Sequence, residues 1–162
     1  MAGNYTLFEV VITAIIQKDG KYLITRRSPS KKRFPGMWTV PGGHLEPADF
    51  MSYPKDTEHY WYNVLEKALA REIEEEVGLK IENVRYVTSL ATEHKDGAAS
   101  IVISCLGDYV SGTVKLADGE NDKAEWVTAE EAKKYELLDG ILDELVMADA
   151  LRRGEKYEWK RH

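Results

Sequence analysis

Glu72, Glu75 and Glu76 stand close together in the run Arg71-Glu72-Ile73-Glu74-Glu75-Glu76-Val77-Gly78-Leu79. If that run is helical, Glu72 pairs with Glu76 at i,i+4 and with Glu75 at i,i+3, and like charges at those spacings repel. Partial burial adds to the cost by penalising the charged forms. Protons, arginines or a hard cation could offset it. Clustered oxygen ligands suit Mg²⁺, with Mn²⁺ as an alternative, and such ions keep several waters while sharing their remaining coordination with phosphates. A solvated acidic face is the plainer alternative, although only Glu74 points squarely away from the apolar side.

The element that carries these acids is a helix read from Asn63 to Leu79. Leu65, Leu69, Ile73 and Val77 recur every four residues and form an inward stripe. At about 100° per residue, Glu72 and Glu76 fall beside Leu65 and Leu69, with Glu75 on the adjoining edge. Upstream, Phe8 to Gln17 and Tyr22 to Arg27 read as two strands joined by a Lys18-Asp19-Gly20-Lys21 hairpin turn. Arg26 and Arg27 close the second strand, either as a solvated strand end or as forks for phosphate oxygens.

All 5 prolines lie between Pro29 and Pro54, so this region is loop-rich. Within it, Trp38 to Val40 reads as a short strand, and Pro41-Gly42-Gly43 bends the chain so that its main-chain groups can approach a ligand closely. Further on, Ile81 to Glu93 and Ala99 to Val110 read as strands of one sheet, with Cys105 as a buried small side chain. Glu120 lies in a polar loop that enters a strand at Trp126. Thr128 caps a helix starting at Ala129, a second amphipathic helix covers Ile141 to Leu151, and the basic tail is read as frayed.

The totals narrow the class. A chain of 162 residues with 43% hydrophobic and 31% charged residues suits one globular domain, 1–162, with a flexible tail over 155–162. A net charge of -6 argues against stable nucleic-acid binding. The 1 cysteine allows no intrachain disulfide, which suits a reducing, cytoplasmic location. No apolar run reaches transmembrane length, and the start Met1-Ala2-Gly3-Asn4-Tyr5 has no leader pattern.

Pro41-Gly42-Gly43, followed by Arg71-Glu72-Ile73-Glu74-Glu75-Glu76-Val77-Gly78-Leu79, resembles the Nudix box, G-x5-E-x7-R-E-U-x-E-E-x-G-U with U a bulky aliphatic. The second half matches at every fixed position. The first half departs from the pattern: Arg71 lies 28 positions after Gly43, 14 more than the family spacing. The glutamate of the first half is also missing, and Asp49 or Glu58 is a substitute for it. The added residues, read as 49–62, carry five aromatics and His59. They are read as a base-stacking roof, a self-packed loop or a subunit contact.

The resemblance implies an α/β fold, a Nudix-type α/β/α sandwich around a mixed β-sheet, in a MutT-like hydrolase. It implies metal ligation by the Gly43 carbonyl, Glu72, Glu75, Glu76 and Glu120, the last because many relatives place a glutamate six residues before such a tryptophan. Glu75 or Glu120 would be the general base, and Arg71 would orient a box carboxylate. Arg26, Arg27, Trp38 and His44 are the candidates for holding a small-molecule nucleotide, most simply a nucleoside or deoxynucleoside triphosphate. Nucleotide sugars and dinucleoside polyphosphates stay open as substrates, and a homodimer as the assembly. A ligand-sensing Nudix domain is the non-enzymatic rival. An isoprenyl diphosphate isomerase would need a cysteine soon after Trp38, where Val40, Pro41 and Gly42 stand.

Overall fold

The computed structural model describes residues 6–162; Met1 to Tyr5, read above for a leader, lie outside them. Its centre is β1 (Glu9–Lys18), whose Ile12, Ala14 and Ile16 enter one core while Ile15 enters another. A strand buried on both faces must be apolar along its length, and this one is. It pairs in parallel with β6 (Ala99–Ser111), from Glu9 opposite Ser100 to Gln17 opposite Asp108. On the outer side of β6 runs β5 (Lys80–Glu93), antiparallel. Ser100 to Leu106 is therefore central, as its apolar sequence predicts.

The expected hairpin forms, but its strands part early. Asp19 and Gly20 both take positive φ, 52° and 76°, as a two-residue turn of this hand requires. β1 and β2 (Lys21–Arg27) then pair only at Gln17 with Tyr22 and Lys18 with Lys21. Two short strands fill the wedge that opens between them. β3 (Trp38–Thr39) pairs with β2, and β4 (Gly42–His44) pairs with β1. The Ala14 N–H donates to the Pro41 carbonyl at 2.9 Å, so the glycine turn is tied down on both sides. A side chain on Gly42 would run into the Ile12 carbonyl, which is why glycine stands there. The far edge of β2 takes β7 (Asn121–Val127), completing a seven-stranded mixed sheet.

Each face of the sheet carries a helical layer. On one, α2 (Val64–Val77) buries Leu69, Ile73 and Val77 against Ile12, Ile16, Leu23 and Cys105. Fully burying each such aliphatic side chain contributes about 1.5–3 kcal/mol. Gly78 ends α2 at φ 70°, and burial pushes the Cys105 thiol up to about 11. On the other face, α3 (Ala129–Ala132) and α4 (Ile141–Arg152) cover Ile15, Tyr22, Ile24 and Leu106. Thr128 and Glu131 form a reciprocal capping box at the start of α3. In the tail, the Trp159 indole N–H donates to Asp143 of α4 at 3.0 Å.

Between α1 (Ala48–Met51) and α2, the aromatic insertion packs partly on itself. The Phe50 and Trp61 rings meet edge to face at 5.4 Å, and the Trp61 N–H donates to the Tyr53 carbonyl. Tyr53, Tyr60 and Tyr62 stay exposed.

Candidate active site

Arg71 is the hub of the acid cluster. Its Nε and Nη2 form a two-pronged pair with Asp49 at 2.5 and 2.9 Å, and Nη2 also reaches the His44 carbonyl at 3.3 Å. Its Nη1 donates to Glu72 at 2.9 Å and to Glu75 at 3.1 Å. The Asp49 side chain is only 3% exposed. Its carboxyl is held below its usual range by Arg71 first, with the Glu46 N–H adding to the effect. Of the two candidates for the missing first-half acid, Asp49 is the one paired with Arg71, whereas Glu58 stands 3.7 Å from His59. Asp49 stands in α1, at the start of the 49–62 insertion.

Glu76 is the most enclosed of the box acids. One carboxylate oxygen accepts the Gly42 N–H at 2.8 Å, and the other accepts a short hydrogen bond from the Asn121 amide. Desolvation nonetheless dominates and pushes its carboxyl up to about 7. Glu72 is also raised, by burial first, with Arg71 opposing. Asn121 carried no signal in the sequence beyond its place next to Glu120.

Glu120 meets this group from the far side, on the turn before β7, close enough to Glu76 to raise its carboxyl further. Its carboxylate pairs with the Lys31 ammonium at 2.5 Å. Arg27 is half-buried and feels both Glu76 and Glu120, while burial lowers its guanidinium. Arg26 points elsewhere: it forms a two-pronged pair with Asp122 at 2.8 and 2.5 Å. Successive strand residues face opposite sides of a sheet, so only one of the two arginines can face α2. Trp38 lies on the α4 side with Arg26, edge to face with Tyr135 at 4.9 Å. The His44 imidazole is exposed and 3.9 Å from Glu9. The structure thus brings together Gly43, Arg71, Glu72, Glu75, Glu76, Glu120 and Arg27, and sets Arg26 and Trp38 on the other layer.

These residues fit a divalent ion. Any Cβ on Gly43 would fall inside the Glu72 carboxylate, so the loop backbone and that carboxylate share one cradle. The oxygen donors are hard, and both Glu76 oxygens keep a free lone pair. Among the described residues, no three His, Cys, Asp or Glu side chains already converge to hold an ion, since Arg71 stands between Glu72 and Glu75. Glu75 and Glu120, 63% and 51% exposed, have room to swing in.

A pH dependence follows for the metal-free protein. A carboxyl raised from 4.5 to about 7 favours the protonated fold, so its contribution is complete below about pH 4.5 and is lost as pH climbs through 7. At 1.36 kcal/mol per unit, the loss from Glu76 approaches roughly 3 kcal/mol. Urea unfolding in EDTA is expected to show lower stability at pH 8 than at pH 5, with excess Mg²⁺ reversing the decline. A flat profile in EDTA would refute the assignment.

A family model described as the NUDIX domain matches residues 7–147. The chain is 34% identical over 123 residues to the human NAD-capped RNA hydrolase NUDT12, a match covering 75% of this chain and 22% of that protein. It thus spans about a fifth of that relative's length. It is 30% identical over 137 residues to the nucleoside triphosphatase NudI of Klebsiella pneumoniae, covering 78% of this chain and 86% of that protein. In fold it is similar to a MutT NUDIX hydrolase from Burkholderia pseudomallei, with a TM-score of 0.70 and 21% identity over 88% of this chain and 98% of that one. Among the described residues, no helix is long and apolar enough to cross a membrane.

Proposed function

The chain belongs to the Nudix family, whose hydrolases act on nucleotide-linked substrates and generally need a divalent metal; on that premise we propose that it is a Mg²⁺-dependent nucleoside or deoxynucleoside triphosphate pyrophosphohydrolase. The observation that carries this reading is the placing of Glu72, Glu75 and Glu76 across from Arg27 and Glu120, at the mouth of the Gly42-Gly43 turn. NudI, a nucleoside triphosphatase, aligns along 86% of its own length, which favours triphosphates over other anhydrides.

Water attacks a phosphorus atom of the anhydride. A new P–O bond forms, the bridging P–O bond breaks, and nucleoside monophosphate, pyrophosphate and a proton leave. The Gly43 carbonyl, Glu72, Glu75, Glu76 and Glu120 would hold the divalent ion, which would balance charge on the phosphoryl oxygens and make a water nearby more acidic. Glu75 or Glu120 takes the water's proton. Arg27 neutralises a distal phosphate, a contact made equally in the bound substrate and throughout the attack. Asp49 and the His44 carbonyl keep Arg71 oriented, and Arg71 in turn holds Glu72 and Glu75.

Incubation with the common nucleoside triphosphates and Mg²⁺ is expected to yield monophosphate and pyrophosphate, with no turnover in EDTA. A second reading rests on the 34% identity to an NAD-capped RNA hydrolase. Turnover of NAD-linked substrates without turnover of triphosphates would favour it, and turnover of neither would favour a ligand sensor.

A further inference from the structure

Arg27 and Glu120 come from different parts of the chain, and one loop, residues 28–37, holds both. Its ends are closed by main-chain bonds: the Arg27 N–H donates to the Met37 carbonyl at 2.9 Å and the Gly36 N–H to the Arg27 carbonyl at 3.0 Å. From this loop the Ser28 N–H donates to the Glu120 carbonyl at 3.0 Å, and Lys31 pairs with the Glu120 carboxylate. The Arg33 carbonyl accepts the Arg27 Nε–H at 3.0 Å. That bond uses one prong of the guanidinium, whose charge both Glu76 and Glu120 act on.

The loop is fastened from behind at the same residue. The Arg33 side chain donates to Glu9 on β1 at 2.9 Å and to Asp96 in the β5–β6 turn at 2.7 Å. Glu9 also accepts the hydroxyl of Ser100, itself 1% exposed, at 2.7 Å. With Arg33 as the largest cause and Ser100 next, the Glu9 carboxyl sits near 2, so the fastening stays charged across any working pH. Phe34 next to it takes φ 53°, a conformation that a bulky side chain keeps only where its surroundings impose it.

We propose that Arg33 is a positioning residue: clamped between Glu9 and Asp96, it sets its own carbonyl as the stop that aims the Arg27 guanidinium across the acid cluster. What Arg27 does there rests on the hydrolase reading above; how Arg27 is held does not. The clamp joins three separate elements, β1, the β5–β6 turn and the 28–37 loop, so cutting it loosens the Arg33 end of the loop, on which Arg27 rests, while Ser28 and Lys31 still hold Glu120 at the other end.

Arg33→Gln, with Asp96→Asn as a milder second variant, tests this in two independent ways. In ¹⁵N NMR spectra the Arg27 Nε–H is expected to exchange slowly with water in the unaltered protein and fast in Arg33→Gln. In steady-state kinetics KM for the triphosphate is expected to rise about tenfold while kcat stays within about twofold, a size typical of a charged group displaced but not removed. Added to Arg27→Ala, Arg33→Gln should produce no further change, because it acts through that side chain. Arg33→Lys, which keeps the charge on Glu9, should recover most of the loss. A protected Arg27 Nε–H in Arg33→Gln, additive effects in the double variant, or a lowered melting temperature with unchanged KM would each overturn the proposal. If no diphosphate is hydrolysed at all, the hydrolase reading fails while the exchange measurement still decides how Arg27 is held.

Discussion

Glu76→Gln is expected to leave a folded protein whose kcat/KM falls by about a thousandfold or more, the scale on which losing a charged group at a phosphoryl-transfer centre is felt. Both Glu76 oxygens accept from N–H donors, the main-chain amide of Gly42 and the side-chain amide of Asn121. A glutamine can keep its oxygen on the Gly42 N–H and give its NH₂ to an Asn121 amide turned over to present its own oxygen. The substitution therefore removes the charge while the Gly42-Gly43 turn keeps its anchor. Glu75→Gln serves as its partner experiment, because Glu75 is exposed and touches only Arg71 among the described groups. Its fold should be untouched and its turnover several hundredfold down. Near-normal activity of both variants, measured with saturating Mg²⁺, would remove the acid cluster from the chemistry altogether.

Asp49→Ala should have the second largest effect. It strips a nearly inaccessible carboxylate from an arginine that is itself 30% exposed. Breaking a buried pair from one side costs about 3–5 kcal/mol, and the access of Arg71 to water reduces this to roughly 2–3 kcal/mol. Activity should fall about a hundredfold as well, since an unclamped Arg71 competes more freely for Glu72 and Glu75. Asp49→Glu is the discriminating variant, because it supplies the acid the family pattern calls for. Activity within about tenfold of normal would show that the position holds a clamp, whereas an equal collapse in both variants would make it a packing site.

The helix that carries the acids is legible in the sequence, because a four-residue apolar period and a glycine stop leave few alternatives. The Thr128 cap and the central apolar strand were legible for similar local reasons. Asp49 was one of two candidates, and nothing local separated it from Glu58. The choice depends on where the two ends of a long insertion meet, which is a tertiary matter. Arg26 and Arg27 both stand among the substrate candidates, and the structure pairs Arg26 with Asp122 while Glu76 and Glu120 act on Arg27. Trp38, a substrate candidate by sequence, packs edge to face with Tyr135. Asn121 stayed hidden because an isolated amide has no periodicity and no charge to betray it.

The pairing of Asp49 with Arg71 also changes how the aromatic segment should be regarded. A clasp joins the chain immediately before the segment to the helix immediately after it, so the span inside can vary while the acids stay in register. Stretching that span from the family's 8 steps to the 22 found here adds only about 0.9 kcal/mol of loop-closure entropy. A peptide grafted into this span is therefore expected to leave the acids in register, with turnover reporting whether the clasp still closes.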